Sequence, residues 1–464
     1  MTNPETLLPL AFKAYQSGDI ALAERTLRRV IALAPDFAPA HTNLGNILRE
    51  QGRLEAAIAA TETACRLAPG DAMNQANLGS LHEENQRPDL AEGAFRAALD
   101  RAPEEPQLLD ALGRVLLKLA RPGEAMAALK AAVEIAPGLA SAHTNMGNLY
   151  QEAEQSDLAA AAYETALGLE PRDLHARGNL ALVHFRQNRL DEAVAGFRQV
   201  TEQAPHDPVA FNNLAQVRFA MGQFPAAIAA CDGALAADPG NRTALSNKAI
   251  ALNEIPDQAA VRYLQNFEAF VTAHQITAPG GYDSVAAFND ALYREVEAEP
   301  DRFSEQGQAR ARQTRDIMLD PGAAAQAYGD VINGAVRDYI AQLPADPTHP
   351  FISSKPEHWR LEAWGTISQE IGQGEDTHIH PTAWLSGVYY TRLPDAVRDD
   401  SDTAGYLEVG RAPNHIVQDR APELKIIKPE LGLLVLFPSY LYHRILPFRA
   451  SETRMSVAFD AVPI

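Results

Sequence analysis

The sequence predicts a two-domain α + β chain, an N-terminal α-solenoid followed by a C-terminal domain rich in β-strands. Two observations predict it. Pro35, Pro69, Pro103, Pro137, Pro171, Pro205 and Pro239 recur at intervals of 34 residues, the mark of an internal repeat. The interval ends at Pro239, and from about residue 359 the chain runs in short apolar and alternating stretches, among them Trp384 to Tyr390, Leu433 to Phe437 and Arg454 to Asp460, as strands require.

Within the repeats, each interval carries a small pair (Leu44-Gly45, Leu78-Gly79, Leu112-Gly113, Met146-Gly147). A small residue follows at a fixed offset: Ala57, Ala91, Ala125, Ala159, Ala193 and Ala227. Small side chains let two helices approach closely, and proline ends the second helix because it lacks the N–H the next turn needs. Seven helix pairs are expected from about residue 4 to 241, with a lone amphipathic helix from Arg242 to about Glu254 as a solvating cap. The first domain is thus expected at 1–255. Its period and marks resemble tetratricopeptide repeats. The first helix of each such unit lines an inner wall, and asparagine recurs there at the 34-residue interval, with the lone helix continuing the series: Asn43, Asn77, Asn145, Asn179, Asn213 and Asn247, interrupted only by Ala111. An amide donates and accepts at once, so a ladder of amides complements an extended backbone without reading its side chains. The arrangement resembles the asparagine ladder of the O-linked N-acetylglucosamine transferase repeats, which implies a peptide or protein partner.

The second domain is expected at 256–464. Residues 256–345 read as supporting helices broken by Pro256, Pro279-Gly280-Gly281 and Pro321-Gly322, with an amphipathic helix from Ala323 to Leu343. The β-core is expected at 346–464, opening with a strand from Trp359 to Trp364 whose tryptophans pack inward.

Chemistry concentrates in this core. In Thr377-His378-Ile379-His380-Pro381 a two-residue period sends both imidazoles to one strand face. His443 follows an apolar strand and a Pro-Ser turn, and Arg454 opens the strand ending at Asp460. Three imidazoles that converge could hold iron, zinc or copper. A guanidinium nearby could grip a carboxylate bidentately.

This order of residues, with its HxHP...LSGVYY and LFPSxLxH blocks, resembles the double-stranded β-helix oxygenases dependent on iron(II) and 2-oxoglutarate, over roughly residues 350–464. The resemblance implies a jelly-roll core, O2 as oxidant, His378 and His443 as iron ligands and Arg454 as anchor for 2-oxoglutarate. Tyr390 and Ser386 take positions whose hydroxyls touch that co-substrate. One departure stands out: the position at which the family places an acid holds His380. The ligand set is therefore either His378, His380 and His443, or Asp376 with two of the three imidazoles, with Glu408 a weaker candidate. Two rival readings remain: a cupin-like metalloenzyme that uses no 2-oxoglutarate, and a scaffold whose β-core has lost its chemistry.

Composition narrows the partners. Sixty acidic against forty basic residues give a formal charge of −20, and no basic stripe runs along the repeats. Nucleic acid and anionic membrane are poor partners for such a surface, and a basic partner is favoured. Cys65 and Cys231 fall in second helices of separate repeats and imply no disulfide, which suits a reducing cytoplasm. Neither a secretory leader nor a run of about 18 apolar residues is expected.

Overall fold

The structure, a computed structural model, describes residues 4–301, 312–371, 377–398, 402–414, 416 and 418–464. Asp376, the alternative carboxylate, lies outside the described residues. The repeat helices follow in chain order: α1 and α2 (Pro4–Gln16, Ile20–Leu33), α3 and α4 (Ala38–Glu50, Leu54–Leu67), α5 and α6 (Ala72–Glu84, Pro88–Leu99), α7 and α8 (Pro106–Lys118, Pro122–Ile135) and α9 and α10 (Ala140–Glu152, Ser156–Leu169), which pack as pairs, then α11 (Leu174–Arg186), α12 (Leu190–Gln203), and the pair α13 and α14 (Pro208–Ala220, Phe224–Ala237). The chain forms two compact units, Met1–Arg189 and Leu190–Ile464. The boundary expected at residue 255 falls inside the second.

In the first unit, the small residues act as the period demands. A Cβ on Gly79 would lie 2.8 Å from the Phe95 ring, and one on Gly147 2.5 Å from the Tyr163 ring, so each ring lies directly on the backbone of its partner helix. Ala57, Ala91, Ala125 and Ala159 are fully buried. The turn inside each pair carries a further 34-residue signal: Gly18, Gly52, Gln86, Ala120, Glu154 and Asn188 all have positive φ. Such left-handed residues close a helix C-terminus, and Gln86, Ala120, Glu154 and Asn188 do so without glycine's freedom.

In the second unit, α15 (Arg242–Glu254) corrects an expectation. It is no solvating cap, because ten of its 13 residues, Asn247 among them, are buried. Its polar residues turn to the β-core instead: Arg242 Nε donates to the Ala383 carbonyl at 3.1 Å and Asn253 Nδ2 to the Arg420 carbonyl at 3.2 Å. Polarity that suggests solvent is here spent on carbonyls of the β-core.

Beyond it run α16 (Gln258–Leu264), α17 (Phe267–Phe270), β1 (Thr272–Gln275), α18 (Val285–Ala298), β2 (Arg312–Gln313) and α19 (Ala323–Gln342). The expectation of helices alone missed β1 and β2. Both are short and polar, leaving no period to read, and exist through pairing with distant strands. Then follow α20 (Pro350–Ser353), β3 (Trp359–Ile371), β4 (Leu385–Arg392), α21 (Asp395–Arg398), β5 (Leu407–Val409), β6 (Lys425–Ile427), β7 (Leu433–Pro438), β8 (His443–Ile445) and β9 (Phe448–Pro463). Strand β3 is thus not the first, and β9 opens at Phe448, not at Arg454.

A six-stranded sheet has the order β1-β7-β4-β9-β3-β2 and a three-stranded sheet the order β6-β5-β8, with antiparallel pairing throughout. Together with the repeats they make the α + β architecture expected. Helices α18 and α19 share one apolar core with the larger sheet. The Tyr328 hydroxyl of α19 donates to the Val457 carbonyl at 3.1 Å. Trp384, fully buried, stacks on Phe351 at 4.6 Å and donates its indole N–H to the Phe351 carbonyl. That pairing fixes the segment running from His380 into β4.

A candidate metal and co-substrate site

Folding brings the three imidazoles together. One ring nitrogen from each of His378, His380 and His443 lies within 4.8 Å of the others, as a single cation requires. The His378 and His380 segment is not a regular strand. It joins the larger frame through one antiparallel bridge, in which His378 and His443 exchange both backbone hydrogen bonds at 3.1 Å, and through the His380 N–H, which donates to the Ser439 carbonyl. Extended backbone still alternates, so both rings face one side.

Neighbouring groups set two of the three tautomers. His443 Nδ1 donates to the Leu441 carbonyl at 3.1 Å, leaving Nε2 as the lone-pair nitrogen. Burial, reinforced by His378 and His380, holds the His443 pKa well below the usual histidine value, so the ring stays neutral as a ligand must. His380 Nδ1 lies 2.7 and 2.8 Å from the two carboxylate oxygens of Asp460. It therefore donates to Asp460 and also turns Nε2 to the cluster. A carboxylate behind an imidazole both orients it and raises its basicity.

Sequence reasoning missed Asp460. The signal was present: Arg454, Ser456, Ala458 and Asp460 alternate with Met455, Val457, Phe459 and Ala461, so one face of β9 carries polar groups into the interior. A buried acid there needs a partner. Ser386, directly across from Asp460 in the register, donates to its Oδ1 at 2.6 Å and lies 2.9 Å from the Ser439 hydroxyl.

The cluster opens into a cavity of about 420 Å³ lined also by Arg454, Tyr390, Trp364, Phe437 and Gln313. Arg454 is fully buried, its guanidinium carbon 5.4 Å from the centre of the Tyr390 ring, and its Nη1 donates to Ser456 Oγ at 3.1 Å. The Tyr390 hydroxyl is buried without a hydrogen-bond partner among the described residues. Burial pushes its pKa up to about 12 despite Arg454, so it is a donor. A buried cation beside an unsatisfied hydroxyl is a cradle for a carboxylate, and 420 Å³ suits a small organic acid. Trp364 is buried but forms cavity wall, its ring 5.7 Å from that of His380. Glu408 faces elsewhere: despite burial, hydrogen bonds from Arg411 and Arg444 hold its carboxyl below the usual range.

The asparagines divide. Asn43 is exposed and Asn77, Asn179 and Asn213 are half-buried. Asn145 is buried and donates to Asp110 Oδ1 at 2.7 Å, and Asn247 is enclosed at 3% exposure. Asn179 also donates to Asn148.

The fold and this cavity define a class: a helical repeat protein joined to an antiparallel β-core with a three-imidazole cluster. Comparison with known proteins agrees. Residues 10–72, 77–140, 144–208 and 212–264 match the tetratricopeptide repeat family, and residues 362–460 match the family described as "Putative 2OG-Fe(II) oxygenase". The chain belongs to the tetratricopeptide repeat family and carries a C-terminal domain of that oxygenase family. No curated protein matches it. Similar solved structures include a tetratricopeptide repeat protein from Parabacteroides merdae (18% identity, 54% of this chain and 98% of that one, TM-score 0.46). YrrB, described as having an unusual peptide-binding site, is 22% identical over 40% of this chain and 95% of its own, with TM-score 0.32. The Cut9–Hcn1 complex of APC/C is 22% identical with TM-score 0.42, and the match covers 46% of this chain but 43% of that one. Among the described residues no helix is long and apolar enough to cross a membrane.

Proposed function

We propose that the chain is an iron(II)- and 2-oxoglutarate-dependent dioxygenase that hydroxylates a peptide or protein recruited by its repeats. One observation carries the reading: three convergent imidazoles and a buried arginine share one cavity. His378, His380 and His443 hold the metal. Iron(II) with 2-oxoglutarate and O2 supplies, when bound, the oxidising power for a C–H bond. The protein's own residues do the rest. Asp460 places a negative charge one hydrogen bond behind the His380 ligand, offsetting the absence of an acid among the ligands. Arg454 takes the far carboxylate of 2-oxoglutarate in a bidentate grip, and Tyr390 donates to the same group. Ser386 steadies Asp460 in place of touching the co-substrate. Trp364 and Gln313 form the wall that the substrate side chain meets.

The repeats supply the recruiting surface, with Asn43, Asn77, Asn179 and Asn213 as amides open to a peptide backbone, while Asn145 and Asn247 serve packing. The acidic surface favours a basic partner. An all-imidazole set also suits a metalloenzyme that uses no 2-oxoglutarate, but such an enzyme has no use for a buried arginine facing an unsatisfied tyrosine. Incubation with iron(II), 2-oxoglutarate and O2 tests the reading. Succinate release, stimulated by a basic peptide that binds the repeats, is expected; metal binding without any succinate, with or without peptide, would overturn it.

A further inference from the structure

Helix α15 belongs by sequence to the repeats, yet it touches both chain segments that carry the imidazoles. At its N-terminal end Arg242 is 6% exposed and has no salt bridge among the described residues. Its guanidinium instead serves carbonyls and a hydroxyl: Nε donates to the Ala383 carbonyl at 3.1 Å, and Nη1 reaches the Gly240 carbonyl and Ser354 Oγ. Burial lowers its pKa to about 10, which leaves it charged at neutral pH. A buried cation costs free energy unless its donors are well used, so the contact with Ala383 is specific.

Ala383 closes the turn that begins at the ligand, its N–H donating to the His380 carbonyl at 3.2 Å. The Trp384 N–H then donates to the Ala461 carbonyl, beside Asp460. One turn further along α15, Ser246 is 2% exposed; its hydroxyl donates within the helix, to the Arg242 and Thr243 carbonyls at 3.1 and 3.0 Å, and lies beside the Tyr442 hydroxyl, on the residue before His443. The Tyr442 carbonyl in turn accepts from the Gly410 N–H at 2.7 Å. Residues four apart share one helix face, so a single face of α15 bears on the His380 turn and on the approach to His443. The far end of the helix holds a different segment, through Asn253 to Arg420 and Glu254 to the N–H groups of Asp419 and Arg420.

We infer that Arg242 and Ser246 are positioning residues of the metal centre, setting the distance between His380 and His443 from a helix of the repeats. The inference rests on the metal reading given above and adds to it. Groups behind a ligand commonly change metal affinity ten- to a hundredfold, and the same range is expected here. The repeats are then more than a recruiting surface, because their last helix forms the floor on which the ligand segments rest.

Cobalt(II) is the probe, bound to the full chain without 2-oxoglutarate. Its visible spectrum reads ligand geometry, and competition with a chelator reads affinity. Arg242→Met and Ser246→Ala should each weaken cobalt binding about tenfold and alter the visible bands. Arg242→Lys, which returns one donor, should recover part of both. Asn253→Ala, on the same helix but directed at Arg420, should lower the melting temperature and leave spectrum and affinity as in the wild type. If Arg242→Met fails to fold, Ser246→Ala carries the comparison. Wild-type affinity and spectrum in both Arg242→Met and Ser246→Ala would overturn the inference while leaving the metal reading intact. A wild-type chain that takes up no cobalt would bring down the metal reading and this inference together.

Discussion

The repeats and the β-core solve the same packing problem in opposite ways. In the repeats, one arrangement recurs: a buried alanine, a glycine pressed under a side chain of the partner helix, and a left-handed residue in the turn, each 34 residues from the next copy. In the β-core each contact occurs once, and the partners come from far apart in the chain, as with Ser386 and Asp460 or Tyr328 and Val457. Redundancy makes the first tolerant of change, and uniqueness makes the second exact in geometry but open to single failures. A site that must hold ligand atoms within a few ångströms belongs on the second kind of frame.

Removing one unique contact should therefore cost most. Trp384→Ala deletes a fully buried indole, its stack on Phe351 and its bond to the Phe351 carbonyl, and a loss of about 3–5 kcal/mol is expected for the second unit in denaturant unfolding. Asp460→Asn keeps the shape but loses the charge behind His380. Metal affinity should fall about ten- to a hundredfold, roughly 1.4–2.8 kcal/mol, as measured by chelator competition. In the repeats, Gly147→Ala forces a methyl against the Tyr163 ring. A loss of about 1–3 kcal/mol is expected for the first unit, with the cobalt spectrum of the second unchanged.

How far the sequence reveals each half follows the same contrast. The helix pairs, their ends and the fold class were readable because a period repeats its message seven times. The imidazoles and Arg454 were readable because alternation and spacing survive in a short stretch. Asp460 was passed over although its alternation was visible, because its role depends on a partner 80 residues away. The burial of α15 was invisible for a related reason: its polar residues look like a solvent face until the carbonyls of Ala383 and Arg420 arrive from elsewhere.

Two smaller effects sharpen the comparison. His349 is buried, its Nε2 donating to the Tyr263 carbonyl and its Nδ1 accepting from the Phe351 N–H, and burial lowers its pKa. Because the folded ring resists a proton that the unfolded chain accepts near pH 6.5, its stabilising contribution is whole above that pH and lost as pH falls below it. Unfolding of His349→Asn followed between pH 7.5 and 5 should show a shallower decline than wild type. In the repeats, Ala120→Gly relieves a φ of +54° and should stabilise the first unit by up to about 1 kcal/mol, less the entropy that glycine adds to the unfolded chain.

In the proposed site three imidazoles and Arg454 hold a metal and 2-oxoglutarate side by side. Calorimetric titration of 2-oxoglutarate into anaerobic, iron(II)-loaded protein, beside the metal-free chain and Arg454→Met, tests it most directly. Binding only when metal is present, and its loss in Arg454→Met with the metal retained, is the expected result. Absence of binding in the loaded wild type, or undiminished binding in Arg454→Met, would show that this cavity does not hold 2-oxoglutarate through Arg454.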